Sequence, residues 1–368
     1  MSPDLTRLRV QPLAERRSLT TVESILIPPE REPSPCPAAL ATHIEGASAA
    51  IRTARRAGAA VILFYGAHLL RNGATLILER LMAGGWLTHL ATNGAGSIHD
   101  WEYAWLGRST ESVRENVANG TFGAWDETGR YIMLALLGGA LHEQGYGASM
   151  GRLILDDGVS LPPPEELTAL IRGQPGHPLT PARAELLRVM LTHGLPGGWL
   201  SVTHHWKHAS ILAQACRHGV SMTVHPGIGY DIIACHPFYS GAAVGRAGAL
   251  DFQTLCGAVD QLDGGVVLSV GSAIMAPQVF EKSLSCVNNL RRQAGRAPVQ
   301  GHRIFVVDLQ DGGQWDWSRH EPPKDHPAYY LRFCKSFARM GGAMRYLQCD
   351  NLLFIHHLWK HLSSAPAP

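Results

Sequence analysis

Five apolar segments of strand length each run straight into small and polar residues, and these junctions hold most of the side chains that could do chemistry. Val61–Phe64 leads into Tyr65-Gly66-Ala67-His68, with Arg71-Asn72-Gly73 close behind. The run ending at Thr92 continues as Asn93-Gly94-Ala95-Gly96-Ser97-Ile98-His99-Asp100 and on into a helix. Met222–Val224 leads into His225-Pro226-Gly227-Ile228-Gly229-Tyr230-Asp231, and Leu268–Val270 into Gly271-Ser272-Ala273. Ile304–Val307 leads into Asp308-Leu309-Gln310-Asp311-Gly312-Gly313. A strand that ends in a Gly-rich turn and opens a helix presents free backbone N–H groups, and the missing Cβ atoms let a pyrophosphate approach them. The 92–100 segment departs from G-x-G-x-x-G because His99 holds the third position. Taken by itself, it reads equally well as a tight connection without a ligand. The five ends together point to one shared crevice, because ligands of open α/β sheets bind beyond the carboxyl ends of the strands.

Histidine is unusually frequent, at nineteen residues, and supplies a second set of candidates. His99 beside the Gly-rich turn and His225 at a strand end are the ones placed for proton transfer; a hydrogen-bonded core histidine is the alternative for each. His204 and His208, in Thr203-His204-His205-Trp206-Lys207-His208, stand four apart, a spacing that lets two imidazoles on a helix hold one metal. With His225 and His236 they would make a zinc or iron site, but no carboxylate accompanies them and Lys207 lies between them. Hence no metal is expected. Gly147-Ala148-Ser149-Met150-Gly151 matches G-x-S-x-G, yet the polar segment before it follows a helix, whereas a nucleophile elbow needs a strand there.

These residues need a scaffold, and the hydrophobic pattern supplies one. Apolar strands at 59–64, 86–92, 221–224, 266–270 and 304–307 alternate with helical segments near 46–57, 69–81, 100–117, 127–142, 207–217, 249–262 and 277–295. Further helices read near 164–172 and 181–193. Continuous apolar strands separated by helices predict a three-layer, Rossmann-like α/β fold, a parallel sheet with helices on both faces. The Pro-rich, charged stretch 1–45 reads as an extended arm, and 46–368 as a single α/β domain. Net charge is +2 with no basic run, which argues against nucleic acid or an anionic membrane as partner. Seven scattered cysteines, none in C-x-x-C, imply neither a disulfide framework nor a zinc ribbon. No stretch approaches the ~20 apolar residues of a membrane span, and a cytoplasmic location is expected.

The strand ends resemble those of deoxyhypusine synthase, in order and spacing, from about residue 58 to 358. The family's Ser-Asn-Leu turn corresponds to Ala67-His68-Leu69-Leu70-Arg71-Asn72-Gly73, and its Thr-x-Ala-Gly-Gly-x-Glu-Glu-Asp turn to Thr92–Asp100. Its Asp-Gly-Ser-x-Gly-Asp turn is matched by Pro226–Asp231, its Gly-Gly-Gly-Val-Val turn by Gly271–Met275, and its last quoted strand by Ile304–Gln310. The resemblance implies NAD as cofactor, held by Ala67, His68, Thr92, Asn93, Gly94, Gly96, Gly271, Ser272 and Asp308. It further implies a homotetramer, and an aminobutyl-type transfer through an imine on a lysine, for which Lys335 in Phe333-Cys334-Lys335 is the candidate. Two family acids are replaced by Ile98 and His99, leaving Asp100 and Asp231 to face an amine-like substrate. The family's Lys-His-His is Ala276-Pro277-Gln278 here, so the scaffold is expected to be shared and spermidine is not expected as substrate.

The combined expectation is an NAD-dependent transferase that oxidises a small amine or related substrate, with His99 and His225 moving protons and Lys335 forming the covalent link. Two alternatives stand beside it: a catalytically retired NAD-binding or interaction module, and a metal-dependent hydrolase built on the histidine cluster.

Overall fold

The computed structural model describes residues 3–364. Residues 1–2 of the expected arm and 365–368 of the expected domain lie outside the described residues. The chain divides into two compact units. One holds Ile25–Gly96, His218–His225 and the chain from Phe252 on; the other holds the chain up to Ser24 with Ser97–Arg217 and Pro226–Asp251.

The first unit contains the expected parallel sheet. It has six strands: β1 (Val61–Tyr65), β2 (His89–Asn93), β3 (Ser221–His225), β4 (Val266–Val270), β5 (Arg303–Asp308) and β6 (Ala343–Gln348). They lie in the order β6-β5-β4-β1-β2-β3, and every pairing is parallel. Read from β3, that is 3-2-1-4-5-6, the order of a doubly wound Rossmann sheet. β1 and β4 are buried along their whole length, which is why they read as unbroken apolar runs. β6 escaped the sequence reading for the opposite reason. As the edge strand it exposes Ala343, Arg345 and Gln348, so no continuous apolar run marks it.

Helices cover both faces of this sheet. The main core cluster packs Ile62, Phe64, Val267, Ile304 and Val306 against Phe280 and Leu284 of one helix and Phe333 and Phe337 of another. Phe280 meets Phe64 edge-on with ring centroids 5.9 Å apart and lies 6.0 Å from the Phe337 ring. In chain order the helices of this unit are α1 (Ala38–Arg56), α2 (Ala67–Arg71), α3 (Thr75–Ala83), α4 (Gly94–Leu106, shared with the other unit from Ser97), α5 (Gly241–Asp260, within it from Phe252), α6 (Met275–Gln293), α7 (Arg332–Ala338) and α8 (Asn351–Ser363). α1 begins at Ala38, eight residues before the expected start and inside the stretch read as an arm. The helix expected over 100–117 is two: α4 ends at Leu106, and Val113–Asn119 is separate, capped by Ser112 accepting from Glu115 N.

In the other unit the N-terminal segment is tied down by a buried ion pair. Both terminal guanidinium nitrogens of Arg16 donate to the Glu102 carboxylate at 2.8 Å, and the same carboxylate accepts from Thr128 and Ser109. Thr20 and Thr21 pair with Arg108 and Ser109 as a two-residue antiparallel ladder. Among the described residues, no helix is long and apolar enough to cross a membrane.

Candidate functional site

A doubly wound sheet reverses direction once, and the reversal leaves an opening between neighbouring strands whose connections leave on opposite sides. Here those strands are β1, whose chain goes on to β2, and β4, whose chain goes on to β5. Their ends touch. A Cβ on Gly66 would sit 2.1 Å from the carbonyl oxygen of Gly271, and Gly66 N donates to Val270 O at 3.2 Å. Gly271 itself has a φ of +59°, and a Cβ there would lie 2.2 Å from Asn351 Nδ2. Two glycines therefore let the loops after β1 and β4 and the start of α8 pack against one another.

Beyond this contact lies a crevice of about 420 Å³, lined from the carboxyl ends of five strands. That volume falls in the ~300–1,000 Å³ range of small-molecule sites. His68 and Asn72 come from the first connection, Asn93 ends β2, Gly271–Met275 follow β4, Asp308–Gln310 end β5, and Asn351 opens α8 after β6. Ile274 and Leu309 are 76% and 65% exposed, and so present branched aliphatic surface in the lining beside Ala273 and Met275. Asn351 is the reverse: it is 6% exposed, lines the crevice, and its Oδ1 has no hydrogen-bond partner. Asp350 caps α8 by accepting from Leu352 N and Leu353 N at 2.9 and 3.0 Å.

Five of the sequence-derived candidates line this crevice: His68, Asn93, Gly271, Ser272 and Asp308. Of the others assigned to the cofactor, Ala67 begins α2. Thr92, Gly94 and Gly96 are buried, and their packing shows what the small residues do. Thr92 Oγ1 donates to Tyr65 O at 3.0 Å, and a Cβ on Gly96 would lie 2.1 Å from that same hydroxyl oxygen. Gly96 thus makes room for Thr92 where strand meets helix. The expected Gly-rich turn is absent, since β2 ends at Asn93 and α4 begins at Gly94, with Asn93 Oδ1 accepting from Gly96 N at 2.9 Å. Asn93 stands where many dinucleotide sites carry an acid, leaving the end of the second strand uncharged.

His225 ends β3 beside Asn93 in register. Its Nε2 lies 3.2 Å from Thr223 Oγ1, which is 3.0 Å from His89 Nε2, so a buried His–Thr–His chain runs along the sheet. Burial pushes His225 down to about 4 and His89 to about 3, and both are therefore neutral at ordinary pH. Lys335, on α7, lines a separate cavity of about 530 Å³ that shares Ala273 and Ile274 with the crevice. Its Nζ lies 3.6 Å from the centroid of the Tyr329 ring, a cation–π contact.

His99, Asp100 and Asp231 belong to the other unit. His99 Nδ1 lies 2.7 Å from Ser109 Oγ. Asp100, fully buried, accepts from Ser210 Oγ and from the backbone N–H groups of Ile211 and Leu212 at the start of the helix Ile211–His218, while burial pushes its carboxyl up to about 7. Asp231 accepts from Gly227 N at 2.7 Å in its own turn, with its carboxyl raised to about 6 by burial. Both carboxylates hold the chain in place locally.

The histidine cluster does not have the helical spacing that made it a metal candidate. His204 lies outside any helix or turn, His205 lies in a turn and Lys207–Ala209 is a 3-10 turn, with His204 buried and His208 exposed. His204 Nε2 accepts from Trp101 Nε1 at 3.1 Å, a core role. Among the described residues, no group of three or more His, Cys, Asp or Glu side chains is placed to hold a metal ion. Ser149 lies inside the helix Tyr146–Asp156 and donates to Gly145 O at 2.7 Å, so the G-x-S-x-G stretch forms no strand-to-helix elbow. Sequence reasoning missed Asn351. The signal was there in Asp350-Asn351 ahead of Leu352-Leu353-Phe354-Ile355, a helix cap before an apolar run.

No family model matches the chain, and no curated protein does. Among solved structures, AgrE in ternary complex with ornithine and NAD+ is similar at 12% identity and a TM-score of 0.43, over 88% of this chain and 33% of that one. A protein from Methanococcus maripaludis S2 named as a LOR/SDH protein is similar at 13% identity and 0.40, over 92% of this chain and 74% of that one. A protein from Entamoeba histolytica named as a deoxyhypusine synthase is similar at 8% identity and 0.37, over 84% and 76%. The chain spans about a third of the length of AgrE. At these identities and scores the likenesses carry no argument about chemistry.

Proposed function

We propose that the chain is an NAD-dependent enzyme that binds the dinucleotide across the carboxyl ends of β1 and β4. The observation that carries this reading is the coincidence of the 3-2-1-4-5-6 strand order with a crevice at its one reversal point. The lining fits the group. Asn93 and Asn351 offer uncharged polar ends, Ile274 and Leu309 offer apolar surface for a planar ring, and Gly271 keeps a Cβ out of the floor. Bound NAD would supply a hydride acceptor for oxidation of a small amine or related substrate. The protein's own part is to position: the parallel strands hold the crevice rigid, and the aliphatic pair at its lining excludes water from a bound ring. His225, neutral at ordinary pH, ends β3 beside Asn93 in register and would be the imidazole nearest the end of β2.

A finer reading keeps the transferase chemistry implied by the resemblance. Hydride transfer to NAD+ would turn the substrate's C–N bond into an iminium, and Lys335 Nζ would add to that carbon and release the substrate's own amine. The carbon group would then pass from the lysine imine to an acceptor amine, with the hydride returned from NADH. What supports it is that the Lys335 cavity adjoins the crevice through Ala273 and Ile274.

Calorimetric titration of the full chain with NAD+ tests the main reading, with about one dinucleotide per chain expected. Absence of binding up to millimolar NAD+ would refute it. Borohydride trapping of the substrate-derived carbon group on Lys335, lost in Lys335→Ala while NAD+ binding persists, is the outcome expected of the finer reading. NAD+ binding without turnover of any amine would favour a retired binding module.

A further inference from the structure

Asn351 is set in the crevice in a way that calls for a ligand. It is the first residue of α8, held there by the Asp350 cap and packed against the glycine whose missing Cβ makes its space. Its neighbours in the lining are charged at Asp308 alone among acids and carry no lysine or arginine. Its Oδ1 is buried and accepts no hydrogen bond. A buried acceptor left unpaired is costly, and such groups in folded proteins are nearly always satisfied. No lysine or arginine lines the crevice, so a pyrophosphate beside it would rest on backbone N–H groups. Exposed Ile274 and Leu309 instead suit the face of an uncharged ring.

Resting on the NAD-binding reading, we infer that this crevice takes a heteroaromatic ring of the cofactor edge-first, and that Asn351 Oδ1 accepts a hydrogen bond from the ring's exocyclic N–H donor. Two parts of a dinucleotide carry that chemistry: the carboxamide of nicotinamide and the amino group of adenine. The position of Asn351 after β6, on the β4–β5–β6 side of the reversal, favours the nicotinamide end, because the two halves of the sheet each serve one half of a dinucleotide.

The test is the affinity of the full chain for three dinucleotides: NAD+, 3-acetylpyridine adenine dinucleotide, which lacks the carboxamide N–H, and nicotinamide hypoxanthine dinucleotide, which lacks the adenine amino group. Loss of one hydrogen bond to a buried acceptor is expected to weaken one analogue by roughly tenfold or more. Weakening of the acetylpyridine analogue assigns Asn351 to the nicotinamide end, and weakening of the hypoxanthine analogue assigns it to adenine. In either case Asn351→Ala should bind NAD+ and that analogue alike, and Asn351→Asp, which keeps an acceptor, should restore the preference. Equal binding of all three by the wild-type chain overturns the inference while leaving the NAD-dependent reading intact, and so does a preference that persists in Asn351→Ala. No binding of any of them overturns both.

Discussion

Replacing Gly66 by alanine probes the contact on which the crevice is built. The new Cβ would lie 2.1 Å from Gly271 O and 3.1 Å from its carbonyl carbon. Ordinary contact to such an oxygen begins near 3.4 Å, so the two loops must part by more than an ångström. The obstructing atoms are backbone at the end of a buried strand and cannot rotate aside. Overpacking of this kind costs about 1–3 kcal/mol. The Gly66 N to Val270 O bond, already 3.2 Å long, would be lost with it, adding about 1 kcal/mol. Urea unfolding of Gly66→Ala should therefore show a loss of about 2–4 kcal/mol, together with weakened NAD+ binding in calorimetry. Gly257→Ala is the control: this glycine lies within the helix Gly241–Asp260 with nothing within 4 Å of a new Cβ. There, alanine should stabilise by about 0.5–1 kcal/mol through helix propensity. Wild-type stability and affinity in Gly66→Ala would refute the placement of the β1 and β4 ends.

Other outcomes follow from single interactions. Arg16→Met strands the buried Glu102 carboxylate and should cost about 3–5 kcal/mol in urea unfolding, with early proteolytic cleavage near residue 16; an unchanged midpoint would contradict the buried pair. Asp100→Ala removes the acceptor for Ile211 N and Leu212 N and should lower stability by about 1–3 kcal/mol without changing NAD+ affinity, whereas lost affinity at full stability would point to a ligand role. Burial lowers His225 from 6.5 to about 4, so between those values the unfolded chain binds a proton that the folded chain does not. Its contribution, about 3 kcal/mol, is complete above pH ~6.5 and disappears as the pH falls toward 4. His225→Asn should flatten unfolding free energy against pH over that window, and an unchanged slope would show that His225 is not buried neutral.

Much of the sheet was legible because burial on both faces leaves a plain mark: Val61–Tyr65 and Val266–Val270 are apolar at nearly every position, and the short, polar strand ends between helices mark parallel crossovers. The edge strand Ala343–Gln348 was not, since half of its residues are exposed and break the apolar run. Helix ends were misjudged where a cap decides them, as at Asn93, whose side chain starts α4 without any intervening turn. The four-residue spacing of His204 and His208 has meaning only on an α-helix, and Thr203–His208 does not form one.

Residue types and their periodicity therefore determined the layers, the strand direction and the end of the sheet where polar side chains gather, because burial acts on each segment separately. Strand order, the reversal between β1 and β4, the Gly66–Gly271 contact and the unpaired oxygen of Asn351 were decided by the tertiary structure alone. The β1–β4 pairing and the Gly66–Gly271 contact join residues far apart in the chain, and no local pattern encodes which distant segment will fill, or fail to fill, a side chain's hydrogen bond.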